Sequence, residues 1–207
     1  MMDGYEITFA LLMGFSLAAT CGLRAFLPLF IIALGAKAGM IHLGTGFEWM
    51  MSYPALICFG SATVLEILGD KIPAVDHLLD SAGVFVRPAA GALAASSLIK
   101  GVDPLVAVVI GVIMGAGIAG IIQTIKGTLR LLSSAMTGGA ANPAVSTAED
   151  GAATVAAALG LVIPYVTSAL ILIGLILGGR IFFNRIKKKR EKPGVLSDAS
   201  VPSSGSE

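Results

Sequence analysis

The sequence predicts an all-α protein that crosses a membrane several times. Hydrophobic residues fill 56% of its 207 positions and charged residues only 13%, and the mean hydropathy is +0.89. Seven of the 14 basic residues lie between positions 180 and 192, so the rest of the chain is nearly free of positive charge. This balance argues against a nucleic-acid-binding surface and a disordered chain. Two cysteines in apolar runs argue against a disulfide scaffold.

The N-terminus lacks the features of a cleaved secretory signal. It carries Asp3 and Glu6 but no basic residue. The apolar run behind it is too long for the central region of a signal peptide. We therefore expect the first helix to remain in the mature protein.

Apolar runs give the number of membrane spans. A bilayer core of about 30 Å requires roughly 20 helical residues per crossing. The last stretch, 144–183, is long enough for two crossings if the chain turns near Pro164, where the proline removes a backbone donor. The count is therefore five or six. The four earlier runs are 7–36, 52–68, 83–99 and 104–122.

An internal repeat favours six spans. Residues 62–75 (ATVLEILGDKIPAV) match 153–166 (ATVAAALGLVIPYV), and residues 14–24 match 120–130 more weakly. Two copies that each contain an odd number of helices must face opposite ways in the membrane. The prediction is a transmembrane domain over 1–184, built from two inverted three-helix repeats at about 7–100 and 104–184. Five spans is the alternative.

Charge predicts the orientation. The basic residues after the last apolar run place the C-terminus in the cytoplasm. Residues 185–207 are interpreted as a basic stretch followed by a disordered cytoplasmic tail. With six spans, the bases on or toward the cytoplasmic side are Lys71, Arg87, Lys126 and Arg130, and those outside are Lys37 and Lys100.

Ionisable residues within apolar runs are the first candidate site residues. Arg24 lies midway through the first run, where a lone guanidinium costs from about 2.5 to more than 10 kcal/mol. Glu66 is its predicted partner, and Arg130 with Glu149 or Asp150 occupies the analogous place in the second half. Two interpretations stay open. The pairs fix helix register, or an arginine meets an anionic substrate in a polar cavity.

The segment 135–150 is the preferred site region. Gly138-Gly139 and Asn142-Pro143 interrupt helical structure there. At membrane depth, the N–H and C=O groups of irregular backbone need hydrogen-bond partners from surrounding protein or from a water-filled cavity. Thr137 and Asn142, beside Lys126 and Arg130, are therefore predicted to line a solute path. A plain cytoplasmic loop is the alternative.

Signals for a metal, a cofactor or catalysis are weak. Asp70, Asp76 and Asp80 are weak candidates for a divalent cation, but a solvated interfacial loop is the favoured interpretation. Residues 115–120 match the dinucleotide fingerprint in letters, yet they lie in an apolar run without a preceding strand. Their small faces instead suit a helix neighbour, in this chain or in a second copy. We expect no cofactor and no enzyme.

Several motifs resemble one known family. It is a bacterial and plant membrane family described only as domain of unknown function 4126. The resemblance spans about residues 10–165 and implies an integral membrane location, without an activity, substrate or catalytic residue. The matching motifs are 22–29 (GLRAFLPL), 47–49 (FEW), 53–57 (YPALI), 62–66 (ATVLE), 72–73 with Asp76 and 78–80 (LLD), and 137–143 (TGGAANP).

The expected function is a small transporter or permeation pathway for an anionic solute in the bacterial inner membrane. Inverted halves would place its site near the bilayer midplane. One alternative is a membrane scaffold or assembly factor whose basic C-terminal stretch contacts anionic lipid. A metal-dependent lipid-modifying enzyme is the third.

Overall fold

The regular structure of the described chain is entirely helical. The computed structural model describes residues 4–138 and 140–190, with the side chains of 73–74, 77, 142–143 and 181–190 left out. The all-helical class is thereby confirmed. In order, the elements are α1 (Gly4–Cys21), α2 (Phe26–Lys37), a 3-10 turn (Glu48–Met51), α3 (Tyr53–Gly69), α4 (Pro73–Leu98), α5 (Pro104–Gly111), a π-helical turn (Val112–Ala116), α6 (Gly117–Thr137), α7 (Asn142–Val162) and α8 (Pro164–Arg190).

Three helical stretches in the described chain are long and apolar enough to cross a membrane, by length and composition. They are Gly4–Cys21, Leu78–Leu98 and the stretch Pro104–Thr137. Shorter apolar helices at Phe26–Lys37, Tyr53–Gly69 and Pro164–Arg180 accompany them. These three long stretches support the membrane class of the protein. They do not confirm the predicted count of six spans.

The first apolar run, predicted as one span, is two helices with a turn at Arg24. Ser16 on α1 and Gly35 on α2 lie against neighbouring residues, Gly160 and Leu161, at the end of α7. Arg24, between the two helices, contacts Ser146 near the start of α7. The chain therefore reverses direction. Hydropathy alone did not reveal the turn, because both arms of the hairpin are apolar.

The centre of the bundle is packed through glycines. A Cβ on Gly115 would lie 2.2 Å from the Gly91 carbonyl oxygen, so α4 and the π-helical turn touch backbone to backbone. A Cβ on Gly14 of α1 would lie 3.3 Å from the Ala95 Cα of α4. Small residues are what allows helices to approach this closely in a membrane.

The chain breaks twice at an Ile-Pro pair, once in each of the matched segments. Helix α3 ends at Gly69 and α4 begins at Pro73, while α7 ends at Val162 and α8 begins at Pro164. The interruption of the last apolar stretch near Pro164 was predicted. It follows from the missing N–H of proline, which is tolerated in the first turn of a helix.

The second sequence match does not follow the predicted inversion. Gly14 of α1 lies near Met114, and Gly22 lies against Ala119 and Ile122 of α6. The later of these two glycines therefore contacts the later residues of the stretch that leads into α6. The two helices run in the same direction. Inverted repeats require matched helices to run in opposite directions.

The chain divides into two compact units, Met1–Ile171 and Leu172–Glu207. The network of charges described below lies within the first. In the second, α8 continues to Arg190, so the start of the predicted basic stretch is helical. The predicted disordered tail, 191–207, lies outside the described residues.

Candidate functional site: a buried ionic network

Eleven charged side chains of the described chain form one connected set of ion pairs, called here the ionic network. They come from the α1–α2 turn, the end of α3 and the turn after it, the part of α4 up to Arg87, α6 and α7. Five of the seven bases that precede Arg180 take part. The cations are Arg24, Lys71, Arg87, Lys126 and Arg130, and the carboxylates are Glu66, Asp70, Asp76, Asp80, Glu149 and Asp150.

Asp70 is the centre of the ionic network. Its Oδ2 lies 2.6 Å from Arg24 Nη1, 3.1 Å from Arg130 Nη2 and 4.0 Å from Lys126 Nζ, and its side chain is fully buried. Asp70 follows the last residue of α3, which carries it to the α1–α2 turn. One carboxylate thus joins the two arginines that the sequence match had paired, although the sequence indicated it only as a weak metal candidate.

Arg24 is fully buried and its charge is balanced by Asp70 and Asp150. Nη1 also donates to the Glu66 backbone carbonyl at 3.3 Å, and Nη2 donates to Ser146 Oγ at 3.3 Å. The predicted pairing with the Glu66 carboxylate is therefore wrong. Asp70, one turn beyond Glu66, takes that place.

The Glu66 carboxylate caps the start of α2 instead. Its two oxygens accept from the backbone N–H groups of Ala25 at 3.0 Å and Phe26 at 3.2 Å. The first N–H groups of a helix have no partner within the helix, and alanine offers no side-chain cap. A negative charge is also favoured at this end of a helix.

Arg130 contacts four carboxylates. The shorter contacts are to Asp76 and to Asp80 Oδ2 at 2.9 Å, and Nη2 lies 3.1 Å from Asp70 and 3.3 Å from Glu149. Of the two carboxylates that the sequence offered as partners of Arg130, Glu149 contacts it and Asp150 pairs with Arg24 instead.

The three aspartates considered for a metal ion thus converge on this guanidinium. No set of three metal-binding side chains is found among the described residues. Arg130 occupies the position between the carboxylates that a cation would otherwise take.

Sequence reasoning did not single out Arg87 and Gln123 as site residues. Arg87 is 1% exposed, hydrogen-bonds the Gln123 amide oxygen, and lies 3.6 Å from Asp80 and 3.9 Å from Glu66. Spacing could have revealed both. Arg87 is seven residues after Asp80, and Gln123 precedes Arg130 by the same two turns, so each pair shares one helix face.

Two lysines complete the ionic network. Lys126 Nζ lies 3.1 Å from Glu149 and donates to the Leu23 carbonyl at 3.2 Å. Lys71 Nζ lies 3.1 Å from Asp150 and is the most exposed member, at 37% of its side chain. It also donates to Ser146 Oγ.

Thr137 lies apart from the ionic network. Its hydroxyl donates to the Ser133 carbonyl and accepts from Ala141 N–H, which closes the turn after α6. Gly138 takes the positive φ of 61° that this turn needs. The side chain of Asn142, the other predicted path residue in this segment, lies outside the described part of the chain.

The ion pairs form an unbroken series from one partly exposed residue to another. Asp80 contacts Arg130, which contacts Asp70, which in turn contacts Arg24. Arg24 contacts Asp150, and Asp150 contacts Lys71. The terminal side chains are 29% and 37% exposed, whereas those of Arg24 and Asp70 are fully buried.

A cleft of about 860 Å³ between α4 and α6 reaches one end of this series. Its polar lining includes Asp76, Asp80, Gln123 and Arg130. Glycines on α6 leave the space open, and Val84, Ile121 and Leu131 form apolar walls. The cleft is large enough for a small organic solute or a lipid head group.

A second cavity, of about 540 Å³, lies at the N-terminal end of α1. Glu6, His42 and Lys100 are among its lining residues. Helix α1 separates it from the ionic network, and its 18 residues span about 27 Å. The closely packed glycines of α1, α4 and the π-helical turn lie between the two cavities.

Comparison with known families agrees with the resemblance that the sequence motifs indicated. The family model described as "Domain of unknown function (DUF4126)" matches residues 11–183, which include every member of the ionic network. The chain belongs to the DUF4126 family. Searches of curated proteins and of solved structures gave no match to this DUF4126 protein.

Proposed function

We propose that this DUF4126 protein is a small membrane transporter, in which a solute enters the cleft between α4 and α6 and acts on the ionic network. The observation that carries the proposal is the unbroken series of ion pairs from Asp80 at the cleft to Lys71 at the other edge. Ionisable residues at membrane depth are costly, and they commonly mark solute or ion pathways.

The series can couple one edge of the protein to the other. Removing one partner of a buried ion pair leaves an uncompensated charge, which costs about 3–5 kcal/mol. A solute that draws Asp80 away from Arg130 leaves Arg130 with one fewer carboxylate. The attraction between Arg130 and Asp70 therefore becomes stronger. Asp70 also holds Arg24, so the disturbance passes toward Asp150 and Lys71.

The two cavities supply the ends of a path. One adjoins the ionic network and the other lies at the opposite end of α1. The tight contact of Gly91 with Gly115 separates them. In this proposal the contact is the closed barrier of one transport state, and the π-helical turn beside it is where α5 and α6 adjust. Such turns interrupt helices frequently at functional sites.

The proposal places the protein in a bacterial inner membrane, with the ionic network toward the cytoplasm. Lys71, Arg87, Lys126 and Arg130 lie together in the ionic network. This grouping supports the orientation drawn from the positive-inside tendency, with the C-terminus in the cytoplasm.

A second candidate function is a membrane scaffold, favoured by the saturation of Arg24. Its guanidinium is fully buried and already paired with two carboxylates. Such a site locks helices together and leaves no free charge for an anion. The basic stretch would then be the interaction surface, which binds anionic lipid or a cytoplasmic partner.

Flux through proteoliposomes tests the transporter. The full chain is reconstituted and screened with radiolabelled solutes that bear phosphate, carboxylate or ammonium groups. Gly127 lines the cleft, and a Cβ there meets nothing within 4 Å, so Gly127→Leu can be introduced without a clash at its Cβ and adds an apolar side chain at the cleft. Gly174 on α8 is equally open and is the control.

We expect flux that Gly127→Leu abolishes and Gly174→Leu leaves unchanged. Absence of flux for every solute class, together with loss of binding to anionic-lipid vesicles on deletion of 185–207, favours the scaffold instead.

A further inference from the structure

We propose that the π-helical turn (Val112–Ala116) is a register switch, which lets α6 advance by one residue and turns the buried polar face of that helix into the cleft. This inference extends the proposed transport function, because it names how the protein passes between two states. It is tested through the position of α6 and not through flux.

The π-helical turn holds one additional residue. Its hydrogen bonds join residues five apart, whereas those of an α-helix join residues four apart. The sequence between Pro104 and Pro143 contains no proline that would force the interruption. If the turn became α-helical while α5 stayed in place, every later residue of α6 would take the position of the residue after it. That movement is about 100° round the helix axis and about 1.5 Å along it.

The shift would carry the buried polar side chains of α6 into the cleft. These side chains are Gln123, Lys126 and Arg130. The residue that follows each of them lines the cleft: Thr124, Gly127 and Leu131. Because each polar side chain would take the position of its successor, all three would face the cleft together.

Apolar side chains would fill the positions that the polar ones leave. The residues that precede the three polar ones are Ile122, Ile125 and Leu129. Ile125 and Leu129 are now exposed, at 44% and 57%. The shift would therefore replace charged side chains by apolar ones in the interior of the bundle.

Glycines leave room for α6 to move. A Cβ on Gly117 or on Gly127 meets nothing within 4 Å, and both residues line the cleft. On the packed side of the helix, Ala119 lies against Gly22 and Gly91, which have no side chains. Small residues on both sides of a helix contact allow one helix to slide past another.

The shift would also divide the ionic network. Asp76 and Asp80 line the cleft, so they would remain near Arg130 in its new position. Asp70 and Glu149 do not line the cleft, and Arg130 would leave both. The present ion pairs therefore hold the present register, and a second state requires that they rearrange.

Deletion of Ile113 tests whether the turn holds an additional residue. Ile113 lies in the turn and is 74% exposed. Its removal gives the turn the residue count of an α-helix while α6 keeps its present register. We expect a melting temperature equal to or above that of Ile113→Ala, which loses the side chain but keeps the backbone residue. A clearly lower melting temperature overturns the proposal, because the turn then has no residue to lose.

Thiol labelling tests the movement itself. The full-length protein in detergent, with Cys58→Ala, is treated with a charged methanethiosulfonate reagent, and buried Cys21 is the unreactive control. We expect Gln123→Cys to react at least about tenfold faster in the chain of natural length than in the Ile113 deletion, where the exposed register is not populated. Thr124→Cys lines the cleft in both chains and should react equally in both.

The comparison separates the register from local loosening. Gln123→Cys removes a hydrogen bond to Arg87, but it does so in both chains. Equal reaction of Gln123→Cys in the two chains therefore overturns the register switch. An unreactive Thr124→Cys also overturns it, since charged side chains could not move into a cleft that the reagent does not enter.

The outcome is separable from that of the transport proposal. Labelling that depends on the Ile113 deletion, without flux in proteoliposomes, keeps the switch and rejects transport. Flux that persists in the Ile113 deletion rejects a role for the switch in transport and keeps the transporter.

Discussion

Arg24 and Arg130 contact the same carboxylate oxygen, Oδ2 of Asp70, at 2.6 and 3.1 Å. One lies in the turn between α1 and α2 and the other on α6, so a single atom ties the start of the bundle to its later half. The two guanidinium groups would repel each other without it. Among the ion pairs of the described residues, Asp70 is the link that joins Arg24, Asp150 and Lys71 to the rest of the ionic network.

Asp70→Asn should lower the free energy of unfolding by about 3–5 kcal/mol, because it leaves two buried arginines with less compensation. Unfolding of the detergent-solubilised protein, followed by circular dichroism, measures the loss. Asp80→Asn is the matched comparison, since Asp80 is partly exposed and should cost less. Equal losses in the two variants would contradict the central role of Asp70.

Glu66→Ala should destabilise the protein more than Glu66→Gln. Alanine removes the acceptors of the Ala25 and Phe26 N–H groups, whereas glutamine keeps one oxygen in reach. Loss of a helix cap costs about 0.5–2 kcal/mol. Thermal unfolding compares the two, and hydrogen exchange at the first turn of α2 shows whether the effect is local. The idea fails if both variants lose the same stability.

Gly115→Ala should lower the melting temperature, whereas Gly117→Ala should leave it unchanged or raise it. The added methyl group of Gly115→Ala meets the Gly91 carbonyl at 2.2 Å, and that of Gly117→Ala meets nothing within 4 Å. Alanine is otherwise the better helix former by about 0.5–1 kcal/mol. The two substitutions add one carbon each, two positions apart, so only the contact differs. A harmless Gly115→Ala would refute the backbone-to-backbone packing.

Cysteine labelling should place Lys71 and Val102 on opposite sides of the membrane. They flank α4, whose 26 residues span about 39 Å, and both are exposed. In a Cys58→Ala background, a membrane-impermeant maleimide should reach Lys71→Cys only from the cytoplasmic side and Val102→Cys only from outside. Buried Cys21 serves as the unreactive internal control. Labelling of both from one side would rule out this placement of α4.

The sequence predicted the membrane class, the break at Pro164 and a pairing of Arg130 with Glu149 or Asp150. Hydropathy, the chemistry of proline and the cost of buried charge are local properties, so they can be read from a single chain. The role of the Glu66 carboxylate could not be read in this way. Which carboxylate meets which arginine depends on the reversal at Arg24, and the turn is concealed by the apolar residues on both sides.

The repeat shows a different limit. The match between 62–75 and 153–166 correctly marked two Ile-Pro breaks, because those depend on neighbouring residues. The match between 14–24 and 120–130 aligned Arg24 with Arg130, and both of these arginines contact Asp70. It predicted the wrong helix direction, because similarity between two segments does not fix which way each one runs through the membrane.

The contacts of Arg24 also set an order for biosynthesis. Arg24 leaves the ribosome early, yet its second carboxylate, Asp150, belongs to α7 and is made much later. Until then the guanidinium is only partly neutralised, so the nascent hairpin must wait near the insertion machinery or near lipid phosphates. The bundle therefore closes only after α7 has been translated.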